Sequence, residues 1–205
     1  MKKVIVFFGL FILGVTISSF SKEETTTSKN LFLAKTVSTV LTESESYTQT
    51  LNIPFVGNSF NGFKEALGFK ESQGRYHIVN TLGYLGKYQF GKSTLKRFRI
   101  YNTQLFLKTP ELQEDAFIAL CSLNKWILRK DIKRSVGNNI NGIHITESGI
   151  LAAAHLAGAG NVKKYLRSNG QNRFKDAYGS SIQHYLKHFS GFNTSFIEAN
   201  KKPVL

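Results

Sequence analysis

The pattern of apolar and polar positions divides the chain into three stretches. Residues 4–20 are almost wholly apolar. Residues 22–55 show no period and are rich in Ser, Thr and Glu, which reads as a mobile spacer with one short helix over 31–41. Pro54 marks the edge of a folded domain, and from Phe55 the spacing becomes helical. Phe63, Ala66, Leu67 and Lys70 fall at i, i+3, i+4 and i+7, with Glu71 one step beyond, and that helix ends over Ser72–Gly74 with Gly74 at C′. Residues 76–91 hold three glycines among several aromatics and read as an irregular loop or small hairpin. Thr109-Pro110 starts the next helix, with Thr109 as N-cap and Pro110 at N1. Its expected buried stripe is Ala116, Leu120, Leu123 and Ile127, with Cys121 beside it as a small core residue. Thr146 caps a further helix, ESGILAAAHLA, that stops at Gly158. Asn161–Arg167 and Ser181–Phe189 complete the set. The pattern predicts a mainly α domain, of the α+β kind, with a small glycine-rich loop or hairpin.

The N-terminal stretch bears on location. Lys2 and Lys3 precede the apolar run, and Ser19-Phe20-Ser21 offers the small-x-small pattern of a signal peptidase site. The expectation is a signal peptide over 1–21 and an exported protein, periplasmic or extracellular. The alternative is an uncleaved membrane anchor, since ~17 apolar residues just reach spanning length.

Composition then narrows the class. The chain has 205 residues, 41% hydrophobic and 20% charged, which suits one globular domain plus extensions and excludes a disordered protein. A single cysteine excludes an intrachain disulfide and a cysteine-based zinc site. Lys and Arg number 27 against 13 Asp and Glu, a formal net charge of +14, so an anionic partner is expected. Export argues against nucleic acid, and no nucleic-acid-binding signature accompanies the basic clusters. Cell-wall polymer and the anionic envelope surface remain as partners.

The candidate chemistry centres on Glu71. It stands at the end of a helix, just before the loop, with Phe69, Tyr88 and Phe90 as expected apolar neighbours. Apolar surroundings disfavour a charged carboxyl, which suits a general acid working near neutrality. Glu71-Ser72 is followed by Asn80, Gly83, Gly86 and Gln89. This spacing resembles the lysozyme-like lytic transglycosylases, which include goose-type-lysozyme-like and phage-tail-lysozyme-like domains. In that family an ES pair is followed at the same offsets by a small polar residue, two glycines and a glutamine. Ala154–Val162 (AHLAGAGNV) resembles the family's A-Y-N-A-G-x-G-x-V segment, and Ile182–Leu186 (IQHYL) its last helix. The likeness runs in order across roughly residues 60–190.

The resemblance implies a lysozyme-like catalytic domain over 56–192, followed by a tail over 193–205. It implies cleavage of the β-1,4 bond between N-acetylmuramic acid and N-acetylglucosamine, with no cofactor and no metal, by a monomer. Glu71 would be the catalytic acid and base, and Ser72, Asn80, Gln89, Tyr185 and His155 would contact substrate or shape the site. Two departures matter. His155 and Leu156 stand where the family has Tyr and Asn, which keeps a non-catalytic peptidoglycan-binding module open. Lys87 and Tyr88 replace two hydrophobes of the family's G-L-M-Q segment. No Asp or Glu lies between Glu71 and Pro110. A hydrolytic muramidase needs a second carboxylate, whereas a transglycosylase needs one, so the lone acid favours transglycosylation. Asp115, Asp131, Glu147 and Asp176 are the acids that folding could bring to the site. His184 and His188 have metal-like i, i+4 spacing without an HExxH context, which reads as a polar helix face.

Overall fold

The computed structural model describes residues 57–205. The expected signal peptide, the Ser/Thr-rich spacer, its short helix and the boundary at Pro54 lie outside these residues. The described chain is about 53% helical, with one small two-stranded sheet, so the fold is mainly α of the α+β kind. Helix α1 spans Phe60–Ser72, α2 Lys92–Arg97, α3 Thr103–Lys108 and α4 Pro110–Ser135. Strands β1, Asn139–Ile140, and β2, Ile143–His144, pair antiparallel, with Asn139 opposite His144 and Ile140 opposite Ile143. Helices α5, Glu147–Arg167, and α6, Ile182–His188, close the chain.

Local chemistry accounts for the helix ends. Ser59 Oγ accepts the amide of Gly62 at the start of α1. The Cβ-bearing Gln73, not Gly74, is the first left-handed residue after α1, and Gly74 follows it there. Its amide bonds the Phe69 carbonyl and that of Gly74 bonds Gly68, satisfying two carbonyls of the last turn. Thr146 Oγ1 caps α5 through Gly149 N, and Ser181 Oγ caps α6 through His184 N. Thr109 is at the N-cap position of α4, as the sequence predicts, and Pro110 occupies N1. Its hydroxyl instead donates back to the Leu105 carbonyl of α3, so Pro110 rather than a side-chain cap sets the start. The expected stop at Gly158 is a kink with φ 76° and ψ 149°, an angle pair open to glycine and essentially closed to residues with a Cβ. The helical path resumes beyond it.

The core sits where α4 and α5 pack, with α1 and α6 closing it. Ala152, Ala153 and Ala154 are buried on α5, and their small side chains permit close approach to α4. Aromatic rings tie the layers together. Tyr88 of the loop stacks on Phe117 of α4, centroids 4.1 Å apart, and Phe63 of α1 meets both Phe117 and Phe189. Cys121 is buried as expected.

The structure revises three expectations. The buried stripe of α4 is broader and rotated: Ala116 and Leu123 are in it, but Leu120 and Ile127 are half-exposed while Phe117 and Leu128 are buried. The short helices α2 and α3 and the β1–β2 hairpin were not anticipated. The stretch read as a tail packs back on α4, where Ser122 Oγ donates to the Glu198 carbonyl and Asn200 N donates to the Ser122 carbonyl. Thr194 and Ile197 are buried there.

Candidate active site

The last turn of α1, the loop 76–90, the kink of α5, the loop before α6 and α6 itself surround a cleft of about 330 Å³. Glu71, Asn80, Gln89, His155 and Tyr185 line it, together with Leu156, Asp176 and Tyr178. Five of the six residues singled out in the sequence therefore meet, although up to 114 positions separate them.

Glu71 is half-buried, and the Tyr185 hydroxyl donates to its Oε1 at 2.8 Å. Tyr185 is 2% exposed. Its burial, and then the Glu71 carboxylate beside it, push the phenol well above its ordinary pKa, so it remains a proton donor to Glu71. Among the described residues no Lys or Arg forms an ion pair with Glu71. The expected apolar neighbours are elsewhere. Phe69 is exposed, Tyr88 points to Glu114, and Phe90 packs edge-on against Phe106. The apolar walls are instead Leu82, Tyr84, Leu156 and Tyr178.

Ser72 does not line the cleft. It is buried, and its hydroxyl donates to the Lys87 carbonyl at 2.8 Å while accepting the Arg75 amide at 3.0 Å. It ties the end of α1 to the loop. Asn80 does border the cleft, but its Oδ1 accepts the amides of Leu82 and Tyr84 and so holds the loop turn. Gln89 sits at φ 50° and its Nε2 donates to the Gly86 carbonyl at 2.9 Å. His155 donates Nε2–H to the Tyr88 carbonyl at 2.8 Å, which leaves Nδ1 buried without a protein partner among the described residues. Leu156 offers the cleft an apolar surface and no side-chain hydrogen bond.

Of the four acids set aside in the sequence, only Asp176 reaches the cleft. Its Oδ1 accepts the amides of Tyr178 and Ser180, at 3.0 and 2.7 Å, and so shapes its own loop. Asp115 is exposed on α4. Asp131 is tied to Arg134 and Arg167, and Glu147 to Lys125 and Thr194. Asp131 is held below its ordinary pKa: burial alone would raise it, and the two arginines more than offset that. The rim of the cleft is crossed by a hydrogen bond of 2.8 Å between Thr81 Oγ1 and the Tyr178 hydroxyl. His184 and His188 stack on α6, 5.5 Å apart. No group of three or more potential metal ligands occurs among the described residues.

The loop is held from behind by a cluster that the sequence analysis missed. Glu114 of α4 accepts Lys64 Nζ at 2.7 Å and, each at 2.8 Å, Lys87 Nζ, Tyr76 OH and Tyr88 OH. Burial alone would raise its pKa, but these four donors outweigh burial and hold it down to about 2. Lys87 is 2% exposed and also meets Glu65 at 2.8 Å. Burial opposes its charge, yet the bonds to Glu114, Glu65 and Tyr76 raise its pKa. Beside the cluster, buried Gln113 accepts the Lys87 amide and donates to the carbonyls of Tyr76 and Phe106. Gly86 is required there: its φ is 73°, and a Cβ would lie 2.1 Å from Gln113 Oε1. Glu114 gave no sequence signal, because its partners come from α1 and the loop.

No family model, curated protein or solved structure matches this chain.

Proposed function

We propose that the chain is an exported peptidoglycan lytic transglycosylase acting on the bond between N-acetylmuramic acid and N-acetylglucosamine. The observation that carries this reading is the half-buried Glu71 carboxyl, bonded by the Tyr185 hydroxyl in a cleft and paired with no cation among the described residues. It agrees with the order of the three sequence segments that resemble the lysozyme-like family. In its protonated form Glu71 gives its proton to the glycosidic oxygen, and the bond to the anomeric carbon breaks. The substrate's own N-acetyl group stabilises the sugar cation. The resulting Glu71 carboxylate takes the proton of the muramyl 6-hydroxyl, whose oxygen closes on the anomeric carbon. The product is a 1,6-anhydro sugar, and no water is consumed. Tyr185 holds the carboxyl in one orientation through both half-reactions.

One observation favours a second reading, a hydrolytic muramidase. Asp176 supplies the second carboxylate that hydrolysis requires. Its Oδ1 is already committed to two backbone amides, which is why the single-acid route is preferred.

The deciding experiment is mass spectrometry of the fragments that residues 22–205 release from purified peptidoglycan, with Glu71→Gln and Asp176→Asn alongside. Anhydro-muramyl ends, lost with Glu71→Gln and retained with Asp176→Asn, are expected. Reducing ends lost with both variants establish the hydrolase. Release by Glu71→Gln at the unmodified rate overturns both readings.

A further inference from the structure

Part of the excess positive charge collects in a depression of about 770 Å³ between the end of α2, the middle of α4 and the C-terminal stretch. Its lining shares no residue with the cleft around Glu71. Arg97 and Arg99 border it from α2 and the turn that follows, and Lys201 and Lys202 from the C-terminal stretch. No acidic residue lines it. Among the described residues none of these four cations forms an ion pair. Every other lining residue is apolar, Phe98, Trp126 and Val204 among them.

The fold holds these like charges in place. The C-terminal stretch is pinned to α4 at Ser122, through the Glu198 carbonyl and the Asn200 amide. Asn200 Oδ1 then accepts the Lys202 amide at 2.9 Å. Lys201 Nζ stands 5.3 Å from the centre of the Trp126 ring, which also carries the Arg129 guanidinium at 4.4 Å. Cations gathered without a counter-charge repel one another, and an anionic partner relieves that repulsion. The apolar walls say which kind of anion. A wholly polar polyanion satisfies the arginines and lysines but leaves Phe98, Trp126 and Val204 facing water, and Val204 is 90% exposed. A partner with an anionic head and an apolar body meets both sets of residues.

We propose that this face docks on a bilayer containing anionic lipid. The headgroup phosphate enters the depression among Arg97, Arg99, Lys201 and Lys202, and Trp126 and Val204 lie at the level of the headgroups. The occupant is argued from charge complementarity and from a lining that is cationic or apolar throughout. The inference stands apart from the reading of Glu71, since docking needs no turnover.

Trp126 is the only tryptophan in the chain, so its fluorescence reports from this face alone. The test uses residues 22–205, which hold the whole described fold without the apolar N-terminal run. They are mixed with vesicles of phosphatidylcholine, or of equal parts phosphatidylcholine and phosphatidylglycerol. The ionic strength is near physiological, where exposed charges beyond ~8 Å are largely screened. Co-sedimentation with the anionic vesicles alone is expected, with a blue shift of the Trp126 emission. Lys201→Gln combined with Lys202→Gln should weaken that binding about twentyfold, since each cation at an anionic surface contributes roughly a factor of five. Both lysines are exposed and their side chains make no hydrogen bond among the described residues, so the melting temperature should hold. A control, Lys163→Gln with Lys164→Gln, removes the same charge from α5 and should leave binding nearly unchanged. Equal binding to both vesicles overturns the inference. So does binding without a shift of Trp126, or equal weakening by the two pairs of substitutions, which would make the attraction one of net charge alone. Inorganic polyphosphate is the polar comparison. If it shifts Trp126 and binds more tightly than the anionic vesicles, the occupant is a soluble polyanion and the inference falls.

Discussion

Two glutamates face the same loop from different helices, and they are built in opposite ways. Glu114 accepts four hydrogen bonds, two of them from lysines, behind the loop. Glu71, at the front, accepts one from a neutral phenol. A carboxylate held by four donors is locked in its charged form and has no proton to give. A carboxyl with one neutral donor can cycle between acid and base. The saturated cluster ties Tyr76, Lys87 and Tyr88 of the loop to α4, and the sparse one leaves Glu71 the environment that the proposed acid and base role requires. On the proposed function, rigidity and reactivity are thus divided between two faces of one loop.

The largest effect that tests this division is on turnover. Glu71→Gln should lower strand cleavage by roughly 10²–10⁴-fold, the usual contribution of a general acid or base, with little change in melting temperature. Glu114→Gln should do the reverse. It leaves Lys87 buried with only the exposed Glu65 as a carboxylate partner, and the expected loss is about 3 kcal/mol of stability, read by urea unfolding. A Glu114→Gln protein as stable as the parent breaks the comparison.

Acid titration sharpens it next. The folded pKa of Glu114, about 2, lies below the ordinary 4.5, so its contribution to stability is full above pH 4.5 and disappears as pH falls towards 2. The shift corresponds to about 3 kcal/mol. The stability difference between parent and Glu114→Gln should therefore shrink across that window. A constant difference from pH 6 to pH 2 would show that the charge of Glu114 is not what holds the loop.

The smallest effect belongs to Tyr185→Phe. It removes the hydrogen bond from Tyr185 to Glu71 but keeps the ring packed against Phe189. The expected result is a kcat roughly fivefold lower, with KM and melting temperature nearly unchanged, because one neutral hydrogen bond is worth about 1 kcal/mol. A change in KM alone would assign Tyr185 to substrate binding instead.

The parts legible in the sequence are those specified by near neighbours. Thr109-Pro110, Thr146 and Ser181 mark helix boundaries that the structure reproduces, and Gly158 marks the kink of α5, because caps and breakers act within one turn. The β1–β2 hairpin was missed although its signal was present: Asn141-Gly142 is a strong turn dipeptide, and both residues have positive φ. Helices α2 and α3, six residues each, are too short to display a period. The stripe of α4 was displaced because this helix is covered on more than one side, and periodicity alone does not say which sides.

The sequence by itself determined the helical character of the domain, most helix ends, the excess of positive charge and the grouping of Glu71, Asn80 and Gln89 around one loop. Each follows from spacing or composition within a short span. Tertiary structure alone decided which carboxylates stand together or apart. It set Tyr185 on Glu71 from 114 residues away, brought Asp176 rather than Asp115, Asp131 or Glu147 into the cleft, and turned Ser72 inward to the loop backbone. It also surrounded Glu114 with donors from α1 and the loop. The partner of a charge is set by which helix faces pack, and that choice is made by the whole core.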